Sequence, residues 1–240
     1  MSEPPPKKKY KVAVLIYHGA DILDFTGPMQ VMSHVSHQDD PDPVFEVKTI
    51  AQKNMVHTSS YLHIKPDIWL PDTLDSIAQY DILIVPGASL PTLQKIINDT
   101  KIPELNLIRR YTSELTRSRV LVSVCTGAVL LGAAGILSGL TVTAHHLALE
   151  ILGELCSTQD QAKLSTKIVH RRFVDGGVVK RTRVQIISSG GTSAGIDATF
   201  YIICRLLSAE AASSVSKTME YGWQEPQNGD WPTKFHCILD

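Results

Sequence analysis

No stretch of the 240-residue chain is apolar for long enough to cross a bilayer. The first apolar run, Tyr10 to Tyr17, is brief and ends at polar His18 and Asp21, with no small-residue cleavage site, so no signal peptide is expected either. No charge dominates: 23 basic and 24 acidic residues give a formal net charge of -1, which disfavours a nucleic-acid or anionic-membrane partner. Cysteine is scarce. Cys125, Cys156, Cys204 and Cys237 show no C-x-x-C spacing and no neighbouring histidine pairs, so neither a disulfide framework nor a metal site is expected, and a reducing, cytoplasmic setting fits best. There are no internal repeats, and no biased segment beyond M-S-E-P-P-P-K-K-K, residues 1–9, which reads as a disordered basic tail.

What is present suffices for a full core: 43% of residues are hydrophobic and 20% charged, as in one globular domain over residues 10–222 followed by an irregular tail over 223–240. Lys11 to Tyr17, Asp81 to Val85 and Val120 to Val124 are nearly continuous apolar runs, the pattern of parallel strands covered on both faces. Val44 to Ile50 alternates like a further strand, and Val56 to Ile64 reads as a small hairpin or an extended excursion. After a loop from His18 to Thr26, Gly27-Pro28 is expected to open a helix, since proline favours the first helical position. Further helices are expected over Ile102 to Arg117, with Leu105, Ile108, Tyr111 and Leu115 on one face, and over His145 to Leu155, with Leu147, Ile151 and Leu155 as the stripe. Ile168 to Phe173 and Val178 to Ser189 flank Asp175-Gly176-Gly177, which reads as a hairpin turn. A glycine loop at Ser189 to Ser193 feeds the apolar helix Ala194 to Leu207, and Ala209 to Gly222 is the last helix. Strands alternating with helices predict an α/β domain with a mostly parallel sheet and helices on both faces.

The segment Val120 to Gly135 carries the clearest chemistry. Cys125 stands where a buried strand turns into a helix, so unpaired N–H groups and the helix dipole converge on its thiol, an arrangement that lowers a thiol pKa toward thiolate. The same turn supplies donors for an oxyanion. In an open parallel sheet the loops at the carboxyl ends of adjacent strands meet in one crevice. Those loops hold Asp24, Gly87-Ala88 and Cys125-Thr126. Cys125 is then a candidate nucleophile, Asp24 a candidate proton carrier, and the Gly87 and Thr126 turns candidate donors to developing negative charge. Asp24 also suits a helix cap, and Cys156, Cys204 and Cys237 read as ordinary core or tail thiols. His145 is open to two readings, a cysteine partner or a structural residue at a helix start, and His18 is placed to line the pocket.

Five ordered motifs carry a family resemblance: L-D-F-T-G-P (Leu23 to Pro28), D-I-L-I-V-P-G (Asp81 to Gly87), V-S-V-C-T-G-A-V-L-L-G-A-A-G-I-L-S-G (Val122 to Gly139), T-A-H-H (Thr143 to His146) and G-G-T-S-A-G-I-D (Gly190 to Asp197). Over roughly residues 11–222 the chain resembles the ThiJ/PfpI superfamily, and within it the isocyanide (isonitrile) hydratase branch. The resemblance implies a flavodoxin-like sandwich, a nucleophile-elbow cysteine, a homodimer and no cofactor. It aligns the acid with Asp24, the nucleophile with Cys125 and the following threonine with Thr126. It also implies a reaction: sulfur adds to the terminal isocyanide carbon, and water converts the thioimidate to an N-formamide.

Two departures bear on the substrate. Gly87-Ala88 stands where the family often has two glycines, and the segment Gly177 to Ile187, with Lys180, Arg181 and Arg183, is longer than its counterparts. A glyoxalase-like or other cysteine enzyme is therefore a competing expectation, and a module that senses ligands or oxidants through Cys125 is a third.

Overall fold

The apolar runs become the centre of a seven-stranded sheet. The computed structural model describes residues 8–37, 40–98, 102–113, 115–158 and 165–224. Most of the expected basic tail, most of the irregular C-terminal segment, and Cys237 lie outside them. The strands are β1 (Tyr10–Leu15), β2 (Phe45–Ala51), β3 (Ile68–Trp69), β4 (Ile82–Val85), β5 (Arg119–Ser123), β6 (Phe173–Val178) and β7 (Val184–Ser189), in the spatial order β6-β7-β5-β4-β1-β2-β3. All neighbours are parallel except β6 and β7. Residues such as Val12, Val14, Ile82, Ile84, Val120 and Leu121 are fully buried, as two covered faces require.

The helices form two layers. On one side α1 (Ile22–Ser33) packs on α7 (Thr192–Leu206), and α7 packs on α8 (Ala209–Thr218). On the other, α2 (Leu70–Thr73), α3 (Leu90–Ile97), α4 (Pro103–Ser113), α5 (Ala128–Ala134) and α6 (Leu149–Ser157) form a connected layer through α2–α4, α3–α5, α4–α5 and α5–α6 contacts. No helix among the described residues is long and apolar enough to cross a membrane. The chain runs outward from β1 through β2 to β3, then returns to the other side of β1 as β4. That reversal separates the loops after β1 and β4 and leaves the crevice in which this architecture binds ligands.

Several expectations need correction. α1 starts at Ile22, five residues before Gly27-Pro28, so Asp24 lies in the first helical turn and not in a loop. Pro28 sits inside the helix, where it has no N–H to return to the Asp24 carbonyl. Burial of Phe25, Val31 and Met32 holds the helix together despite that loss. Asp175-Gly176-Gly177 is no turn. It is a bulge within β6, and the turn falls between β6 and β7, where Lys180, Arg181 and Arg183 are exposed. Glycine is needed at 176 because the Thr141 carbonyl would lie 2.3 Å from an added Cβ. α4 ends at Ser113, leaving Leu115 60% exposed. In the α6 region the buried stripe is Ala148, Leu152 and Cys156, one position later than Leu147, Ile151 and Leu155; Leu147 is exposed. The chain enters α6 through a 3₁₀ turn at His146–Ala148, and this change of pitch rotates the face. The expected hairpin at Val56 to Ile64 is present, pairing Val56 with Ile64 and His57 with His63.

Candidate active site

The strand-to-helix turn forces Cys125 into the left-handed region, with φ of 60°, a conformation that costs a non-glycine residue about 1–3 kcal/mol. Residues Cys125–Gly127 form a 3₁₀ turn before α5, and the Val124 N–H donates to the Val85 carbonyl, which ties the turn to β4. The thiol is buried, 5% exposed.

The other loops close around it. Asp24 is fully buried, and its Oδ2 accepts a hydrogen bond from the Gly87 N–H at 2.9 Å. Asp24 Oδ1 accepts none of good geometry among the described residues, although Thr192 and Cys125 sit beside the carboxyl. Thr126 Oγ1 donates to the Ala88 carbonyl at 2.7 Å and accepts from the Ala88 N–H at 2.9 Å. Only glycine fits at position 87: an added Cβ would stand 2.4 Å from Thr126 Oγ1 and 2.9 Å from Asp24 Oδ2. Thus Cys125, Asp24, Gly87, Ala88 and Thr126 converge, but the backbone donors do different work from that expected. The Gly87 N–H holds the Asp24 carboxylate and the Ala88 N–H holds the Thr126 hydroxyl, so neither faces a developing oxyanion. The Thr126 N–H is the donor directed at the sulfur.

The electrostatics reverse another expectation. Burial first, and then the Asp24 charge, push the Cys125 thiol up to about 12, outweighing the Thr126 N–H that pulls the other way. Burial and the two facing carboxylates, Asp24 and Asp21, both favour the protonated thiol. Asp24 itself rises to about 6, chiefly through burial, with the Gly87 N–H opposing and the Asp21 charge adding to the rise.

Asp21 is the residue that sequence reasoning missed. One ligating atom from each of Asp21, Asp24 and Cys125 lies within 4.8 Å of the other two. Asp21 is the N-cap of α1, yet its side chain caps nothing; Oδ1 accepts from the Ser59 hydroxyl at 2.6 Å. The three-residue offset from Asp24 at a helix start was the available signal, since residues three apart share a face. Tyr17 was also missed. It is buried, donates to the Pro86 carbonyl at 2.7 Å, and feels the charges of Asp24 and Asp21.

Neither the His145 nor the His18 ring hydrogen-bonds the Cys125 thiol. The His145 N–H donates to the Cys125 carbonyl at 3.1 Å, but its ring makes no hydrogen bond to the thiol; Nδ1 accepts from the Leu147 N–H, and the ring packs on His146. Burial and the neighbouring His146 lower the pKa of His145. It lines a cleft of about 340 Å³ with His146, His170, Arg171 and Arg172. His18 is exposed. Its Nδ1 accepts from the His57 N–H at 3.1 Å, and its ring meets His57 edge-on, with His63 stacked beyond.

Comparison with known proteins finds relatives of the whole domain. The model of the DJ-1/PfpI family matches residues 10–204. An isonitrile hydratase from Pseudomonas putida is 26% identical over 232 residues, covering 96% of this chain and 87% of that protein. Among solved structures, a ThiJ/PfpI family protein from Pseudomonas syringae superposes with a TM-score of 0.69 at 22% identity, covering 92% of this chain and 78% of that one. Drosophila melanogaster DJ-1beta also gives a TM-score of 0.69, at 17% identity, covering 90% of this chain and all of that one. At these identities the two structures establish the flavodoxin-like fold.

Proposed function

The chain belongs to the DJ-1/PfpI family, and from that premise we propose that it is a cysteine-dependent hydratase that converts isocyanides to N-formamides. One observation carries the reading: an ionisable carboxyl, buried and held by the Gly87 N–H, faces the thiol of a strained elbow cysteine. The isonitrile hydratase relative supplies the substrate class.

The chemistry follows from the two raised pKa values. A thiol at about 12 adds to carbon only as its proton leaves, so it needs a base in contact. Asp24, titrating near 6, is largely ionised at neutral pH yet basic enough to accept that proton transiently. Sulfur bonds to the terminal carbon of R–N≡C while Asp24 takes the thiol proton and passes it to the same carbon, giving the thioimidate S–CH=N–R. Water then adds to that carbon while Asp24 takes one of its protons and delivers it to the nitrogen, giving S–CH(OH)–NH–R. The hydroxyl proton passes through Asp24 to the sulfur as the C–S bond breaks, and R–NH–CHO leaves. Atoms balance as isocyanide plus water, and no redox step occurs. Thr126 positions the turn, and its N–H stabilises negative charge growing on the sulfur as the proton departs.

The test is formamide release from a panel of alkyl and aryl isocyanides by the full chain and by Cys125→Ala. Turnover by the first and not the second supports the reading. A wild-type protein inert on the whole panel overturns the isocyanide assignment, and turnover surviving in Cys125→Ala overturns cysteine catalysis.

A further inference from the structure

The crowding of acidic groups at the elbow has a second chemical consequence. Asp21, Asp24 and Cys125 each direct one ligating atom into a space where all three lie within 4.8 Å of one another, the sole grouping of this kind among the described residues. Asp24 is fully buried and its Oδ1 accepts no well-formed hydrogen bond there. No lysine or arginine among the described residues forms an ion pair with either carboxylate. Two carboxylates and a thiol, one carboxylate fully buried and none with a counter-charge among the described residues, form a site that attracts a cation.

We propose that Asp21, Asp24 and Cys125 form an inhibitory site for a borderline-soft divalent cation, zinc being the best match. Zinc accepts sulfur and oxygen ligands together at about 2.0–2.3 Å, and a tetrahedral site with three protein ligands leaves one position for water. Ligand atoms around such an ion stand about 3–4 Å apart, so the three side chains need move inward by only about an ångström. Asp21 is half-buried and releases the Ser59 hydroxyl to turn inward, while Asp24 offers one carboxylate oxygen. Binding exchanges one proton for one ion: the Cys125 S–H bond breaks, a Zn–S bond forms, and the proton goes to solvent. No electron transfer is involved. Once ligated, the sulfur cannot add to an electrophile, so zinc halts turnover and a chelator restores it. Only that consequence rests on the hydratase reading.

The experiment uses the full chain, stripped with chelator, without substrate. Cobalt(II) is added first, because a thiolate ligand gives it a sulfur-to-metal charge-transfer absorption, and zinc is then titrated in competition while released protons are counted. Expected are a saturable one-to-one charge-transfer band, loss of that band on zinc addition, and about one proton released per ion. Cys125→Ala abolishes the band, and Asp21→Asn weakens cobalt binding about tenfold or more; circular dichroism confirms that both variants fold. Protection of Cys125 from iodoacetamide by zinc in the wild-type protein gives an independent readout. Absence of saturable binding, binding without the thiolate band, or undiminished affinity in Asp21→Asn overturns the proposal. In the second case the ion sits away from the Cys125 sulfur. A protein that hydrates isocyanides but binds no ion loses only the zinc site, and one that binds zinc but turns nothing over loses only the hydratase reading.

Discussion

Replacing Asp24 with asparagine removes a charge and keeps the shape, which sets function against stability. The carboxyl is fully buried, and burial is the first reason its pKa climbs from 3.8 to about 6. Because the folded value lies above the unfolded one, the folded chain holds this proton more tightly. The group's favourable contribution is therefore complete below about pH 3.8 and is lost as pH rises through 6. A shift of about 2 pH units corresponds to about 3 kcal/mol at neutral pH. An asparagine in its place suffers no such loss, and its amide oxygen still accepts the Gly87 N–H. Asp24→Asn is therefore expected to be more stable than wild type by up to about 3 kcal/mol at pH 7.5, with the gap closing toward pH 4. Activity is expected to fall about 100- to 10,000-fold, the loss typical of removing a positioned proton carrier. Urea unfolding at pH 7.5 and 4.5, beside an assay of formamide release, measures both. A variant less stable than wild type at pH 7.5, or equally offset at both pH values, refutes the electrostatic account of this site.

Other expectations follow from the same contacts. Wild-type kcat/KM for an uncharged isocyanide should decline below about pH 6 as Asp24 becomes protonated, and a profile flat from pH 5 to 8 would remove Asp24 as the base. Gly87→Ala drives a Cβ to 2.4 Å from Thr126 Oγ1; a stability loss of about 1–3 kcal/mol by chemical denaturation is expected, with activity falling further. Thr126→Val breaks both hydrogen bonds to Ala88 and leaves that buried peptide unsatisfied, at a cost of about 1–3 kcal/mol measured the same way. Alanine at Lys180, Arg181 and Arg183 together should shift the unfolding free energy by no more than about 0.5 kcal/mol per site, since all three are exposed on the β6–β7 turn.

The sheet was legible in the sequence for a simple reason. A parallel strand covered on both faces must be apolar at every position, and Ile82–Val85 is, as are most positions from Val120 to Val124. The position of Cys125 followed from the same logic, since a cysteine closing such a run stands at the mouth of the crevice. Helix faces were less legible. The α6 stripe shifted by one residue because a 3₁₀ turn precedes the helix, and α1 began before its proline because tertiary burial of Phe25 outweighed the positional preference of Pro28. The site's electrostatics were illegible in principle. An elbow lowers a thiol pKa when considered alone, but burial and two carboxylates, one of them tied to Ser59 from a hairpin 38 residues away, set the sign here. Likewise, nothing in P-G-A-S shows that the Gly87 and Ala88 N–H groups are already engaged by Asp24 and Thr126.

The central claim is that the Cys125 sulfur bonds to the carbon of the substrate. Acid-quenching the full chain during turnover of an isocyanide, followed by peptide mass spectrometry, tests it directly. The account expects the peptide containing Cys125 to carry the added mass of one whole isocyanide. Formamide accumulating with no adduct at residue 125, or an adduct on Cys156 or Cys204 instead, would contradict it.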